Sequence, residues 1–272
     1  MPHTVQALSD KRLFLFDMDG TLYLDEELFD GAKDILKRIR DMGGRYLFLT
    51  NNSSRGVDAY VQKMHRLGIE AVPSDFFTST DATVLYIRRH YPSVRFYAMG
   101  TRSFLAQLRA EGISVTEDVT DETVGGVILS NDTELTFAKL ARVSELLLTR
   151  DIPYLATNPD WVCPASFGCV PDCGSFAEML YRATGKRPYF IGKPRPDMIL
   201  ISMQAYGYER EQTLMIGDRL YTDIASGVNA GVDTVFVLSG EGTLADLAAS
   251  EVKPTYVMQN VRELCEAISP KI

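Results

Sequence analysis

The segment Arg12-Leu-Phe-Leu-Phe-Asp17-Met-Asp19-Gly20-Thr21-Leu22 constrains this chain more than any other. A short apolar run with aromatic residues reads as a buried strand, and it stops at two aspartates one residue apart. The next segments alternate in the same way. Gly31 to Met42 carries Ile35, Leu36 and Ile39 on one helical face and ends at Gly43-Gly44. Arg45 to Leu49 is a second buried strand, and Val57 to Leu67 a second helix that ends at Gly68. Strand, helix, strand, helix is the order of a parallel α/β sheet. Ligands of such sheets bind beyond the carboxyl ends of the strands, which is where Asp17 and Asp19 fall.

A carboxylate at the exit of a buried strand is costly without a use. Two of them suit a hard divalent cation such as Mg²⁺, which takes oxygen ligands. One can also act as a nucleophile and its neighbour as acid or base. The plain alternative is an acidic turn, since Asp-Gly is common in turns. An EF-hand is excluded, because Thr21 occupies a ligand position and the glycine comes too early.

The 272-residue chain carries a net charge of −8, which argues against broad nucleic-acid binding and against a polybasic membrane surface. It also means that an anionic ligand would need local positive charge. Met1 to Asp10 is mostly polar and has no secretory apolar core. No apolar run approaches the ~18 residues of a membrane span. A soluble, cytoplasmic protein is expected. Cys163, Cys169, Cys173 and Cys265 are expected as free thiols of a reducing compartment. The spacing of the first three matches no usual zinc hook and has no histidine nearby. Loop packing, or one thiol facing a substrate pocket, fits them better.

The middle of the chain repeats the alternation. Helices are predicted over 82–90, 103–110, 137–149 and 176–184, and strands over 94–99, 113–116, 125–130, 153–156 and 189–191. Residues 157–174, rich in Pro, Gly and Cys, read as a loop. A last series places helices over 196–206, 220–230 and 261–268 and strands over 213–216, 234–238 and 255–257. Two α/β units are therefore expected, the second inserted into the first.

Three further islands lie at strand ends. Thr50-Asn51-Asn52-Ser53 offers hydroxyls and backbone N–H groups that suit an anion at a helix start; capping of that helix by Asn52, Ser53 or Ser54 is the simpler use. Ile191-Gly192-Lys193-Pro194 places a lysine after a short strand, either on the surface or as the missing positive charge, with Gly192 allowing close backbone approach. Thr213 to Asp223 is another strand ending at a carboxylate, Asp218, with Asp223 soon after; a cap, or an ion pair with Arg219, is the alternative for Asp223. Each island is weak alone. Together they set carboxylates, donors and a cation at one edge, the parts that hold a metal and a phosphoryl group while a carboxylate attacks phosphorus.

With these motifs in this order, the chain resembles the phosphatases of the haloacid dehalogenase (HAD) superfamily over nearly its whole length. Thr50-Asn51-Asn52-Ser53, Asn158-Pro159-Asp160 and Gly192-Lys193-Pro194 are similar to the NagD-like, or 4-nitrophenylphosphatase, branch. The resemblance implies a Rossmann-like parallel-sheet core over 1–80 and 175–272 and an inserted α/β cap of the C2 type over 81–174. It implies Asp17 as nucleophile and Asp19 as acid and base. Mg²⁺ would be held by Asp17, the Asp19 carbonyl and Asp218, with Asp223 in support. Thr50, Asn51 and Asn52 would hold phosphoryl oxygens, and Lys193 would neutralise charge. The implied activity is hydrolysis of a small phosphorylated metabolite, such as a sugar phosphate or nucleotide, with 4-nitrophenyl phosphate as a substrate in vitro. No nucleic-acid or membrane partner is expected, and a homodimer is compatible with the chain.

Within the superfamily, Asp19 argues against a dehalogenase, which lacks the second Asp. The absence of membrane spans, and Asp rather than Thr at position 19, argue against a transport ATPase. A phosphomutase or phosphotransferase stays open, as does a non-catalytic metabolite-binding module. Asp172-Cys173-Gly174-Ser175 departs from the Gly-rich turn of many relatives. In this branch the cap closes over the leaving group, so the Asn158–Ser175 stretch is the best candidate for substrate choice, with Trp161 and Cys163 either contacting the substrate or simply packing.

Overall fold

The computed structural model describes residues 7–53, 56–165 and 167–268. They form two units. One takes the described parts of Met1–Thr50, Val57–Phe77 and Lys193–Ile272, and the other those of Asn51–Gly56 and Thr78–Gly192.

The first unit is built on a six-stranded sheet in the order Tyr256–Met258, Asp233–Val237, Thr213–Gly217, Leu13–Phe16, Arg45–Thr50, Phe76–Thr78. Leu13–Phe16 is wholly buried and pairs in parallel with Thr213–Gly217 on one side and Arg45–Thr50 on the other. A continuous apolar strand suits this place, because helices cover both faces of such a sheet. Phe16 stands opposite both Ile216 and Phe48, so all three strands end within two residues of one another at the same edge. Phe14, Phe16, Phe48, Leu214 and Ile216 pack with Ile35, Leu36 and Ile39 of the Ala32–Asp41 helix and with Val261 and Leu264 of the Val261–Ala267 helix. The predicted apolar face of the first helix is the buried one.

At the opposite, amino end of the sheet, Lys11 is fully buried and donates to Asp233 Oδ2 at 2.5 Å and to the Glu211 carbonyl at 2.7 Å. Removing one partner of a buried ion pair leaves a charge in the interior, at a cost of ~3–5 kcal/mol. Lys11→Met is therefore expected to lower the chemical denaturation midpoint strongly. Lys11→Met with Asp233→Leu should recover much of the loss. A midpoint for the single variant equal to that of the wild type would refute the assignment.

The second unit is built on a five-stranded sheet in the order Tyr189–Phe190, Tyr154–Ala156, Gly126–Leu129, Phe96–Met99, Val115–Thr116, with parallel pairing throughout. Its core joins Tyr97, Met99, Val127 and Leu129 to Val143, Leu146 and Leu147 of the Phe137–Thr149 helix and to Phe176 and Leu180 of the Cys173–Thr184 helix. The unit therefore runs to Gly192 instead of ending at the expected 174, because Tyr189–Phe190 completes its sheet beside Tyr154–Ala156. It also begins at Thr78 and takes in the described part of Asn51–Gly56.

The stretch 157–174, read as a loop, contains an antiparallel hairpin, Val162–Ala165 with Gly168–Pro171. Two prolines and a glycine in these strands erase the alternation that would have signalled it. A second small hairpin, Tyr23–Leu24 with Glu27–Leu28, and the Leu244–Ala249 helix also went unpredicted, each too short to show a period. No helix among the described residues is long and apolar enough to cross a membrane.

Candidate active site

Asp17 is the first residue beyond the central strand, and its N–H still donates to the Ile216 carbonyl at 2.9 Å. Asp218 is the first residue beyond the adjacent Thr213–Gly217 strand. Asp223 lies in the Leu220–Ile224 turn, which is wound more widely than an α-helix. Asp223 N–H and Ile224 N–H both donate to the Arg219 carbonyl, at 3.1 and 3.2 Å. That wide turn aims the Asp223 carboxylate back at the strand ends, where its Oδ2 accepts from the Arg219 N–H at 3.2 Å. The ion pair considered for Asp223 with Arg219 does not form: the Arg219 side chain pairs with Glu241 at 2.8 Å.

Carboxylate oxygens of Asp17, Asp218 and Asp223 all lie within 4.8 Å of one another. Lys193, 3 % exposed, donates through Nζ to Asp17 Oδ1 and Asp223 Oδ1, each at 2.7 Å, and to the Leu49 carbonyl at 3.4 Å. The surface alternative for this lysine is thereby excluded. Asp218 is held at both oxygens: the Thr21 hydroxyl donates to Oδ1 at 3.3 Å and the Glu241 N–H to Oδ2 at 2.8 Å. Gly20 has φ +82°, and a Cβ there would sit 2.3 Å from Asp218 Oδ2, so only glycine fits.

The cluster holds three carboxylates and one ammonium. Burial, then the Asp223 charge, pushes the Asp17 carboxyl up to about 8, with Lys193 pulling the other way. The same two causes push Asp218 up to about 6. Burial works against the Lys193 charge, but Asp17 and Asp223 outweigh it and hold the ammonium well above the usual lysine range. Excess negative charge, all on oxygen, in a largely buried group fits a hard divalent cation.

Asp19 stands outside this group. Its side chain is 61 % exposed, with Oδ1 3.5 Å from Lys63 Nζ and Oδ2 3.5 Å from the Tyr23 hydroxyl. Burial, then the charges of Asp19 and Asp17, holds the Tyr23 hydroxyl far above its ordinary range, so it stays a proton donor.

Thr50 is buried at the end of its strand. Asn51 is buried, and its side-chain amide donates to Asp160 Oδ1 at 3.2 Å; Asn52 is half-buried. The Ser53 hydroxyl bonds Ser130 at 2.8 Å and Thr157 at 2.9 Å; Ser54 lies outside the described residues. Gly192 makes room for protein rather than for a ligand, since a Cβ there would lie 2.6 Å from both Asn51 Oδ1 and the Thr157 carbonyl. Cys173 is buried, and burial pushes its thiol up to about 12, the state of a packing residue. Cys163 is half-buried and Trp161 is exposed.

Sequence reasoning missed the turn after Asp233–Val237. Ser239 Oγ donates to the Gly20 carbonyl at 2.8 Å, and the same turn brings up the Glu241 N–H. Its one signal is Ser-Gly-Glu-Gly after a fourth buried strand of the same sheet. Lys63 and Tyr23 were also missed, and no local pattern marks either.

Comparison with known proteins gives the family. A family model described as haloacid dehalogenase-like hydrolase matches residues 14–114, and a second, HAD-hydrolase-like, matches residues 190–264. The acid sugar phosphatase of Staphylococcus aureus is 32 % identical over 252 residues, 93 % of this chain and 96 % of that protein. The structure of a 4-nitrophenylphosphatase from Thermotoga maritima is 35 % identical and superposes with a TM-score of 0.89, covering 96 % of this chain and 99 % of that one. NagD from Escherichia coli K-12 is 26 % identical with a TM-score of 0.85, covering 93 % and 98 %. With relatives this similar over nearly its whole length, and with the paired carboxylates at the strand ends, the chain belongs to the haloacid dehalogenase-like hydrolases as a NagD-like phosphatase.

Proposed function

We propose that this protein hydrolyses small phosphomonoesters, sugar phosphates among them, through a covalent phosphate on Asp17 and with Mg²⁺ as its metal. The observation that carries this reading is the setting of Asp17, bonded to Lys193 and grouped with two further buried carboxylates. The names of the relatives, acid sugar phosphatase and 4-nitrophenylphosphatase, support the substrate class.

In this reading an Asp17 oxygen bonds to phosphorus as the ester oxygen leaves, and Asp19 protonates the leaving oxygen. Asp19, now a carboxylate, takes a proton from water. The hydroxyl attacks phosphorus and releases inorganic phosphate and free Asp17. Carboxylate and phosphate dianion repel each other, and Lys193 offsets that repulsion from its bond to Asp17. Thr50, followed in the chain by Asn51 and Asn52, donates to phosphoryl oxygens. Asp17, the Asp19 carbonyl and Asp218 are the residues that would hold Mg²⁺, with Asp223 in support. When bound, the ion would place positive charge against nucleophile and phosphoryl oxygens. The inserted unit serves as a cap of the C2 type that chooses the leaving group.

The test is release of inorganic phosphate from 4-nitrophenyl phosphate and from a panel of hexose phosphates. Activity is expected to disappear with EDTA and to return with excess Mg²⁺. Unchanged activity in EDTA would refute the metal role. Transfer to a second sugar hydroxyl without free phosphate would make the protein a mutase.

A further inference from the structure

Asp19 must present one oxygen to the leaving group, yet its side chain is largely exposed and has no place in the Lys193 cluster. Two residues outside every recognised motif flank it. Tyr23 comes from the short Tyr23–Leu24 strand, which bridges to Asp19 through the backbone and whose Tyr23 carbonyl accepts the Gly20 N–H at 2.8 Å. Its ring is 1 % exposed and therefore fixed. Lys63 comes from the Val57–Arg66 helix and sets its ammonium 4.0 Å above that ring, a cation–π seat that holds it near Asp19.

We propose that Lys63 and Tyr23 are positioning residues that hold the Asp19 carboxyl for proton transfer to the leaving oxygen. Each takes a different oxygen of Asp19, Lys63 at Oδ1 and Tyr23 at Oδ2, which defines both the place and the rotation of the group. Both contacts are 3.5 Å, long for hydrogen bonds. Catalytic contacts of this kind commonly tighten when substrate arrives. A carboxyl held by two partners loses less rotational freedom at the moment of transfer than a free one. The inference rests on the phosphatase reading, with Asp19 as the acid.

Leaving groups separate this role from a structural one. A nitrophenolate departs without a proton, whereas an alkoxide needs one. The measurement is the ratio of kcat/KM for 4-nitrophenyl phosphate to that for an alkyl phosphate, in the full-length protein with Mg²⁺. Lys63→Met and Tyr23→Phe are each expected to raise the ratio about tenfold or more, a part of the ~10²–10⁴ that general acid catalysis is worth. Lys63→Arg should restore most of it. Neither change should raise it further in an Asp19→Asn background. A loss of folded protein scales both substrates alike and leaves the ratio untouched. If Asp19→Asn raises the ratio and Lys63→Met and Tyr23→Phe do not, the positioning role is overturned while the phosphatase reading stands. If Asp19→Asn itself leaves the ratio unchanged, both the acid assignment and this inference fall.

Discussion

Asp17→Asn is expected to abolish turnover, by on the order of 10⁴-fold or more, the scale on which loss of a nucleophile acts. The amide has the size of the carboxylate but no anionic oxygen to attack phosphorus. The fold should survive the change. Burial, then the Asp223 charge, raises the Asp17 pKa to about 8, so an uncharged group there relieves both desolvation and repulsion. The thermal midpoint of the metal-free variant should equal or exceed that of the metal-free wild type. A correctly folded Asp17→Asn protein that keeps a tenth of the wild-type kcat would refute the nucleophile assignment.

Lys193→Met should have the next largest effect. It strips the ammonium from Asp17 and Asp223, both bonded at 2.7 Å. Two unit charges 4 Å apart interact by about 4 kcal/mol at an effective dielectric of 20, which sets the scale of the repulsion that the lysine offsets. The corresponding fall in kcat/KM is about 10³-fold, at a tenfold change per 1.4 kcal/mol. Unlike Asp17→Asn, this substitution also leaves carboxylates buried without their partner, so stability should drop as well. Kinetics and denaturation measured on the same preparation check both effects. Activity within tenfold of the wild type would show that Lys193 does not carry the charge compensation assigned to it.

The two variants differ because the two residues are specified differently. Asp17 is the end of a local pattern: Leu13 to Phe16 is apolar without a break, and the carboxylate stops it. Nothing distant is needed to place Asp17 at a strand exit, and the same holds for Thr50 and Asp218. Lys193 has no such pattern. It enters the first unit after an inserted unit that runs from Thr78 to Gly192, and its distance from Asp17 is a property of the folded chain alone.

The amino-acid sequence by itself determined the alternation of strands and helices, the edge at which the carboxylates emerge and the buried face of the Ala32–Asp41 helix. Burial imposes a period of two or 3.6 on neighbouring residues, and that can be read locally. Only the tertiary structure decided that Thr213–Gly217, from the far part of the chain, lies beside Leu13–Phe16 and so brings Asp218 to Asp17. It alone set the Glu241 N–H on Asp218, Lys63 over Tyr23, and the hairpin within 157–174. These pairings join residues that share no period. They are decided by which strands become neighbours and by how the chain returns to them, a balance of packing over the whole unit that no short window of sequence contains.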